Sequence, residues 1–373
     1  MTDWPAILDG SSRGPVPAAL RAAAALAEPA YRAAVARRNR AFDTGQRPAT
    51  DLGRPTLSVG NLTAGGTGKT PVTLDLVTRL REQGQRPAVL TRGYHGGDEA
   101  AELAHALGPG VPLGVGPSRV DSAKRVLAEN GDGAGAGVTC FVLDDAFQHR
   151  QAKRDVDLVL IDATAPFGPA AIDPPRLIPR GLLREPLESL ARADAVVVTR
   201  AEQADTDTLA ALDEQIAAHH GKPPIAHASM TWSALDGSAA DTDLDDFAFD
   251  HDIGPDRLTM LDVVAVTGIG NPEAFDRTLR RQTAAVIAHH RFPDHHRYTA
   301  MILGRLLKDA AAAGADAVVT TAKDFAKWRP LLINNPHLLP DNLPILRPCL
   351  AIAYDPSDAI DTLLDRLASP PNA

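Results

Sequence analysis

Cysteine, basic excess and long apolar runs are all scarce in this sequence, and each shortage narrows what the chain can be. Only two cysteines occur in 373 residues, Cys140 and Cys349, far apart and in no C-x-x-C pair. That excludes a disulfide scaffold and a cysteine-based metal site, and it fits a reducing, cytosolic compartment. No stretch reaches the ~18 uninterrupted apolar residues of a membrane-crossing helix. Residues 1–19 carry Asp3, Asp9 and three prolines with no basic region leading into an apolar core, so a secretory leader is not expected. Lys and Arg total 38 against 47 Asp and Glu, a net charge of −9. No general basic field therefore advertises nucleic acid, and any anionic partner has to be met by a local group of residues.

What is present is the composition of a soluble globular protein, 44% hydrophobic and 23% charged, which leaves no room for a collagen-like or disordered chain. At about 150 residues per domain, the length suggests two domains. One segment departs from the acidic average. From Pro17 to Phe42 the chain is Ala-rich, with Leu20, Ala24, Ala27, Tyr31 and Val35 at helical spacing, and Pro29 is expected to break or kink the helix. Between Arg21 and Arg54 stand seven Arg against only Glu28, Asp43 and Asp51. Such a basic stripe could lie on an anionic membrane surface, but from the residues alone the favoured reading is a solvated face of a helix packed on the core.

Beyond it, Thr56 to Val59 reads as a strand that runs into Thr63-Ala64-Gly65-Gly66-Thr67-Gly68-Lys69-Thr70 and then a helix from about Pro71 to Gly84. Further strands are expected at Arg86–Thr91, Val138–Leu143, Val156–Ile161, Ala195–Thr199, Val263–Thr267, Ala284–Ala288 and Ala317–Thr320. Helices are expected at Pro272–Arg281 and Thr299–Ala313. Alternation of this kind implies an α/β fold, a mainly parallel sheet covered by helices, with ligands at the carboxyl ends of the strands. The acidic stretch 233–257 reads as a connection or insertion. The expected organisation is a basic helical region over 1–54, a nucleotide-binding domain over 55–232 and a smaller α/β domain over 258–373.

A glycine loop between strand and helix is a phosphate cradle. Its N–H groups face inward, the lysine reaches the β- and γ-phosphates, and the following hydroxyl ligates Mg²⁺. The loop 63–70 fits this P-loop pattern except that Thr63 stands where the first glycine is usual. A second carboxylate at the end of a neighbouring strand is needed for the metal, and Asp144-Asp145 ends such a run, although paired acids can also cap a helix. Gln148 and His149 follow in the same loop. Ala64 stands where partitioning ATPases carry a lysine, and Val198 to Glu202 lacks the guanine-reading N-K-x-D, so ATP is favoured over GTP. His289, His290, His295 and His296 lack the cysteine or H-E-x-x-H companions of a zinc site. A general acid/base role suits them better.

Taken together, several blocks resemble tetraacyldisaccharide 4′-kinases. They are Ser58 to Thr63 running into Gly65 to Pro71, Thr91-Arg92-Gly93-Tyr94, Gly97-Asp98-Glu99, Asp144 to His149 and Asp294-His295-His296. Arg37-Arg38 after Tyr31, Gly268 to Pro272 and Thr320 to Asp324 extend the resemblance over about residues 17–355. Ala146, Ala322 and Arg180-Gly181-Leu182 depart from the family pattern. The resemblance implies a P-loop NTPase-like fold with a second, smaller α/β domain and an N-terminal membrane-surface helix. It also implies transfer of the ATP γ-phosphate to the 4′-hydroxyl of a tetraacylated glucosamine disaccharide 1-phosphate, with ATP and Mg²⁺ required. Lys69 and the loop amides would hold phosphates, and Thr70 with Asp144 or Asp145 would hold the metal. Asp98 would take the hydroxyl proton, with His295 as its partner. Asn61, Arg92, Gln148, His149, Arg184 and Glu185 would contact substrate or metal. Peripheral attachment to the cytoplasmic face of the inner membrane follows from a lipid acceptor. A nucleotide-dependent switch, or a P-loop kinase or ligase for a small soluble acceptor, is the alternative.

Overall fold

In the computed structural model, residues 4–8, 10–93, 98–108, 110–130, 137–168, 174–238, 255–270, 272–293, 296–340 and 343–368 are described. The chain begins with α1 (Trp4–Leu8), α2 (Pro15–Asp43), β1 (Thr56–Asn61), α3 (Lys69–Glu82), β2 (Pro87–Thr91), α4 (Asp98–Leu107), β3 (Leu113–Val115) and α5 (Arg119–Asn130). It continues with β4 (Cys140–Asp144), β5 (Val156–Asp162), β6 (Ala195–Thr199), α6 (Thr206–His220) and β7 (Ala226–Ser238). The remainder is β8 (Asp262–Thr267), α7 (Pro272–Gln282), β9 (Ala285–Arg291), α8 (Ala300–Ala312), β10 (Ala317–Thr320), α9 (Ala322–Asn334), β11 (Ile345–Asp355) and α10 (Ala359–Ala368).

Two units result, Met1–Met230 with Ile352–Ala373, and Thr231–Ala351. In the first, the strand order is β3-β2-β4-β1-β5-β6-β7. Every pairing from β3 to β7 is parallel. Helices cover both faces, so β1 is buried at all six positions instead of alternating. On one face Leu57, Val59, Val142, Leu158 and Val197 pack with Leu76 and Leu80 of α3 and with Ile360, Leu363 and Leu364 of α10. On the other, Val159, Ile161, Val196 and Val198 meet Leu212 and Ile216 of α6. The register sets Val59 opposite both Asp144 and Leu158. The carboxyl ends of β1, β4 and β5 therefore open together where the chain order reverses, which is where ligands bind in such sheets.

The second unit orders its strands β11-β10-β8-β9. Val264, Val266 and Val318 pack under Leu303, Leu307, Phe325 and Trp328 on one face, while Trp232, Val263, Val319 and Leu279 fill the other.

Several expectations are corrected. The helix α2 runs through Pro29 without interruption. Its tertiary hold outweighs one missing backbone hydrogen bond, because Glu28 and Tyr31 bond to Leu177 N and Arg184 O, and Arg38 pairs with Glu185. The buried stripe is Ala24, Glu28 and Val35, with Ala27 exposed. Residues 1–54 are part of the first unit, and so is the chain from Ile352. Tyr354 donates to Asp75 at 2.9 Å and Arg79 reaches Asp361 at 3.1 Å, fastening β11 and α10 to α3. The expected connection begins as strand, since β7 continues to Ser238, and residues 239–254 lie outside the described residues.

Candidate active site

The strand β1 delivers Asn61 to the mouth of the sheet, and the loop after it turns on two glycines in the left-handed region, Gly65 at φ 136° and Gly68 at φ 77°. At 68 the left-handed backbone favours glycine, and a Cβ there would also displace the flexible end of Met230, whose Cε would lie 2.5 Å away. Lys69 opens α3 directly after this turn. Its Nζ donates to Asn61 Oδ1 at 3.2 Å and to Gly65 O at 3.5 Å, and it lies 3.7 Å from Asp145 Oδ1. Burial lowers the lysine pKa, with Asp145 pulling it back up. Gly65, Gly66 and Thr70 are exposed and Thr67 is buried. Asn61 also donates to Thr63 O at 2.8 Å, and Ala64 N donates to Leu182 O at 2.7 Å, so the loop is anchored at its start.

Asp144 ends β4 beside β1. Its carboxylate accepts from Thr73 Oγ1 at 3.3 Å and Thr91 Oγ1 at 3.4 Å, and Arg119 donates to its carbonyl at 3.0 Å. Burial, then the charge of Asp145, pushes its pKa up to about 6. Asp145, at φ 48°, turns the other way and takes two 2.9 Å bonds from Arg184 Nη1. Burial would raise its pKa, but the charges of Lys69 and Arg184 leave it below the usual carboxylate range. The chain then folds back over β1, where Ala146 N donates to Val59 O at 3.1 Å. Gly60 is required beneath this turn, because a Cβ would meet Phe147 Cβ at 2.5 Å and Phe147 N at 2.7 Å. Gln148 donates to Asn61 O at 2.7 Å and accepts from Arg184 at 3.3 Å. His149 is held neutral, its pKa pushed down to about 4 by burial and by Arg119, Arg154 and Arg92.

Lys69, Asn61, Asp145, Gln148 and Arg184 thus form one connected set. Arg92 follows β2 and is exposed. Asp98 begins α4, but its side chain lies outside the described residues, as does His295. Glu185 corrects the expectation of a substrate contact. It is fully buried, paired with Arg38 and Arg192 and accepting from Asn39 at 3.2 Å, so it braces α2 instead. In the second unit His289 spends both ring nitrogens on Asp276 and Thr267, and His296 stacks on Phe292 at 4.4 Å. Thr73, Arg119, Asp162 and Arg200 escaped the sequence reading. Asp162 and Arg200 had a visible signal, the place of each directly after an expected strand.

A glycine loop between β1 and α3, with acids at the next strand end, defines a P-loop NTPase-like α/β protein. The model of the tetraacyldisaccharide-1-P 4′-kinase (LpxK) family matches residues 20–368, and the chain belongs to that family. A tetraacyldisaccharide 4′-kinase of Anaeromyxobacter dehalogenans is 37% identical over 340 residues, 86% of this chain and 84% of that one. One from Halothermothrix orenii is 36% identical over 296 residues, 73% of each chain. The crystal structure of Aquifex aeolicus LpxK in complex with ATP superposes with a TM-score of 0.67 at 25% identity, covering 93% of this chain and 99% of that one.

Proposed function

We propose that this chain is an ATP-dependent lipid kinase that phosphorylates the 4′-hydroxyl of a tetraacyldisaccharide 1-phosphate, a step of lipid A biosynthesis. The observation that carries this is the placement of Lys69, Asp144 and Asp145 at the adjoining ends of β1 and β4, within a chain that matches the kinase family over 20–368. The available ligands suit Mg²⁺, which prefers oxygen donors. The exposed Thr70 hydroxyl lies one helical turn before Thr73, whose hydroxyl bonds Asp144. Asp144 is assigned as the metal carboxylate because, among the described residues, the hydrogen bonds to its side chain come from the hydroxyls of Thr73 and Thr91, whereas Asp145 is committed to Arg184 and Lys69. Bound Mg²⁺ would neutralise charge on the transferring phosphate.

The residues of the chain then divide the work. Lys69 and the amides of 64–70 hold the phosphates, with Asn61 and Asp145 orienting the ammonium. Asp98, tuned by His295, accepts the proton of the 4′-hydroxyl as its oxygen bonds to phosphorus and the bond to the departing ADP breaks. Arg184, Gln148, Arg92 and neutral His149 line the approach for substrate. A lipid acceptor demands contact with a membrane surface. The basic helix α2, with Leu26 82% and Val16 67% exposed, supplies a peripheral anchor. Among the described residues no helix is long and apolar enough to cross a membrane. The cytoplasmic face of the inner membrane is the assigned location.

The test is transfer of label from γ-labelled Mg-ATP to the lipid in detergent micelles. Labelled 4′-phosphate that disappears in Lys69→Ala and Asp98→Ala supports the assignment. Nucleotide binding and hydrolysis without labelled lipid would point to a switch, and transfer to a soluble acceptor alone would point to a different kinase.

A further inference from the structure

The P-loop is held from outside by a turn that the phosphate chemistry does not explain. At the end of β6, Thr199 Oγ1 donates to Thr67 O at 3.0 Å. The next residue, Arg200, donates from Nη1 to Gly66 O at 2.9 Å and pairs with Asp162 at the end of the neighbouring strand β5. Arg200 does so from the left-handed region, at φ 55°, where a side chain as large as arginine is rarely found. Asp162 is itself fixed, its Oδ1 accepting from Thr164 N at 2.9 Å and Thr164 Oγ1 at 2.7 Å. Two residues further on, Glu202 accepts from Met230 N at 2.9 Å, and Met230 closes the space beside Gly68.

A trans peptide points its N–H opposite to its C=O. Drawing the carbonyls of Gly66 and Thr67 towards the turn therefore aims the amides of Thr67 and Gly68 the other way, into the cradle. We propose that Arg200, braced by Asp162, and Thr199 are positioning residues that preset these two amides for the nucleotide phosphates. The strained backbone of Arg200 is retained at this position because it lets one side chain reach both Asp162 and Gly66 O. The cradle is thereby formed before nucleotide arrives, and its ordering is not charged against binding. This rests on the nucleotide-binding reading above.

The experiment is equilibrium titration of the full-length protein with a fluorescent ATP analogue and Mg²⁺, with steady-state kinetics for both substrates and thermal denaturation. Arg200→Ala is expected to weaken nucleotide binding and raise KM for ATP by about tenfold, a charge-assisted hydrogen bond lost. KM for the lipid should stay unchanged and kcat within about threefold. Arg200→Lys should recover part of the affinity, and Thr199→Val should cost about threefold. Asp162→Asn keeps the Thr164 contacts while releasing the arginine, and it should fall between the parent and Arg200→Ala even where the alanine variant folds poorly. Parental nucleotide affinity in both Arg200→Ala and Asp162→Asn would overturn the proposal, as would an equal rise in KM for lipid and ATP. Failure of the folded parent protein to bind nucleotide would overturn the nucleotide reading itself, and the proposal with it.

Discussion

Asp144 carries a cost in the ligand-free protein that its proposed role explains. Its folded pKa of about 6 stands above the ordinary 3.8 of an aspartate, through burial and the neighbouring charge of Asp145. Between these values the folded state binds the proton that the unfolded state has released, so stability falls as pH rises through that window and stays reduced above it. Asp144→Asn removes the penalty. Apo protein carrying it should gain up to about 3 kcal/mol at pH 8, with the gain vanishing below about pH 4, as read by thermal or urea denaturation across pH. The same substitution should abolish kinase activity. In the parent, kcat/KM for ATP should rise as pH passes about 6, and more Mg²⁺ should move that limb to lower pH, because a cation favours the carboxylate. A pH-independent rate from 5 to 8, or an active Asp144→Asn enzyme, would remove Asp144 from the metal. At Gly60 the constraint is steric. Gly60→Ala brings a methyl within 2.5 Å of Phe147 Cβ, and with little slack in a packed core it should cost about 1–3 kcal/mol and distort the Asp144-Asp145 turn.

The helix α2 is attached by charge more than by apolar area. Along its 29 residues only Ala24, Glu28 and Val35 are buried, while Glu185 sits fully buried beneath it between Arg38 and Arg192. Removing one member of such a group strands its partners. Glu185→Ala should therefore destabilise by about 3–5 kcal/mol, measured by urea denaturation, and speed hydrogen exchange along α2. A loss below about 0.5 kcal/mol, typical of an exposed pair, would show the brace to be superficial. This attachment was the part of the fold least legible in the sequence. The strands β1, β5, β6 and β10 could be read because burial on both faces writes a continuous apolar run, and the glycine loop because its conformation demands particular residues. Neither signal exists for Glu185, whose partner Arg38 lies 147 positions away, nor for Arg119 and Arg200, whose type marks surface as readily as interior. The short β3, only three residues, offers too little pattern to detect. The return of α10 to the first unit brings Ile360, Leu363 and Leu364 onto α3 and joins Tyr354, Arg79 and Asp361 across the chain, contacts that no local pattern announces.

For the molecule as a whole, the net charge of −9 should repel an anionic bilayer, yet the proposed function has it meet its lipid acceptor at a membrane surface. Screening resolves the conflict, since beyond about 8 Å at physiological salt only the charges nearest the surface count. Arg37 and Arg40 are exposed near the end of α2 and Arg47 in the turn after it, whereas Arg38 is spent on Glu185. At about 1 kcal/mol each, changing the three exposed arginines to Gln should weaken binding to anionic vesicles by on the order of 100-fold in flotation assays. Raising salt should mimic the substitution. Leu26→Ser should instead weaken binding in a salt-independent way, because it removes apolar insertion. Kinetics supply the decisive contrast. If α2 serves only to bring the site to the surface, the triple variant raises KM for lipid presented in vesicles, with KM for ATP and turnover on detergent-dispersed lipid unchanged. Equal loss on both forms of the acceptor would mean that these arginines contact the lipid headgroup itself. Parental binding and kinetics would leave α2 as a helix packed on the first unit, with its basic face turned to water.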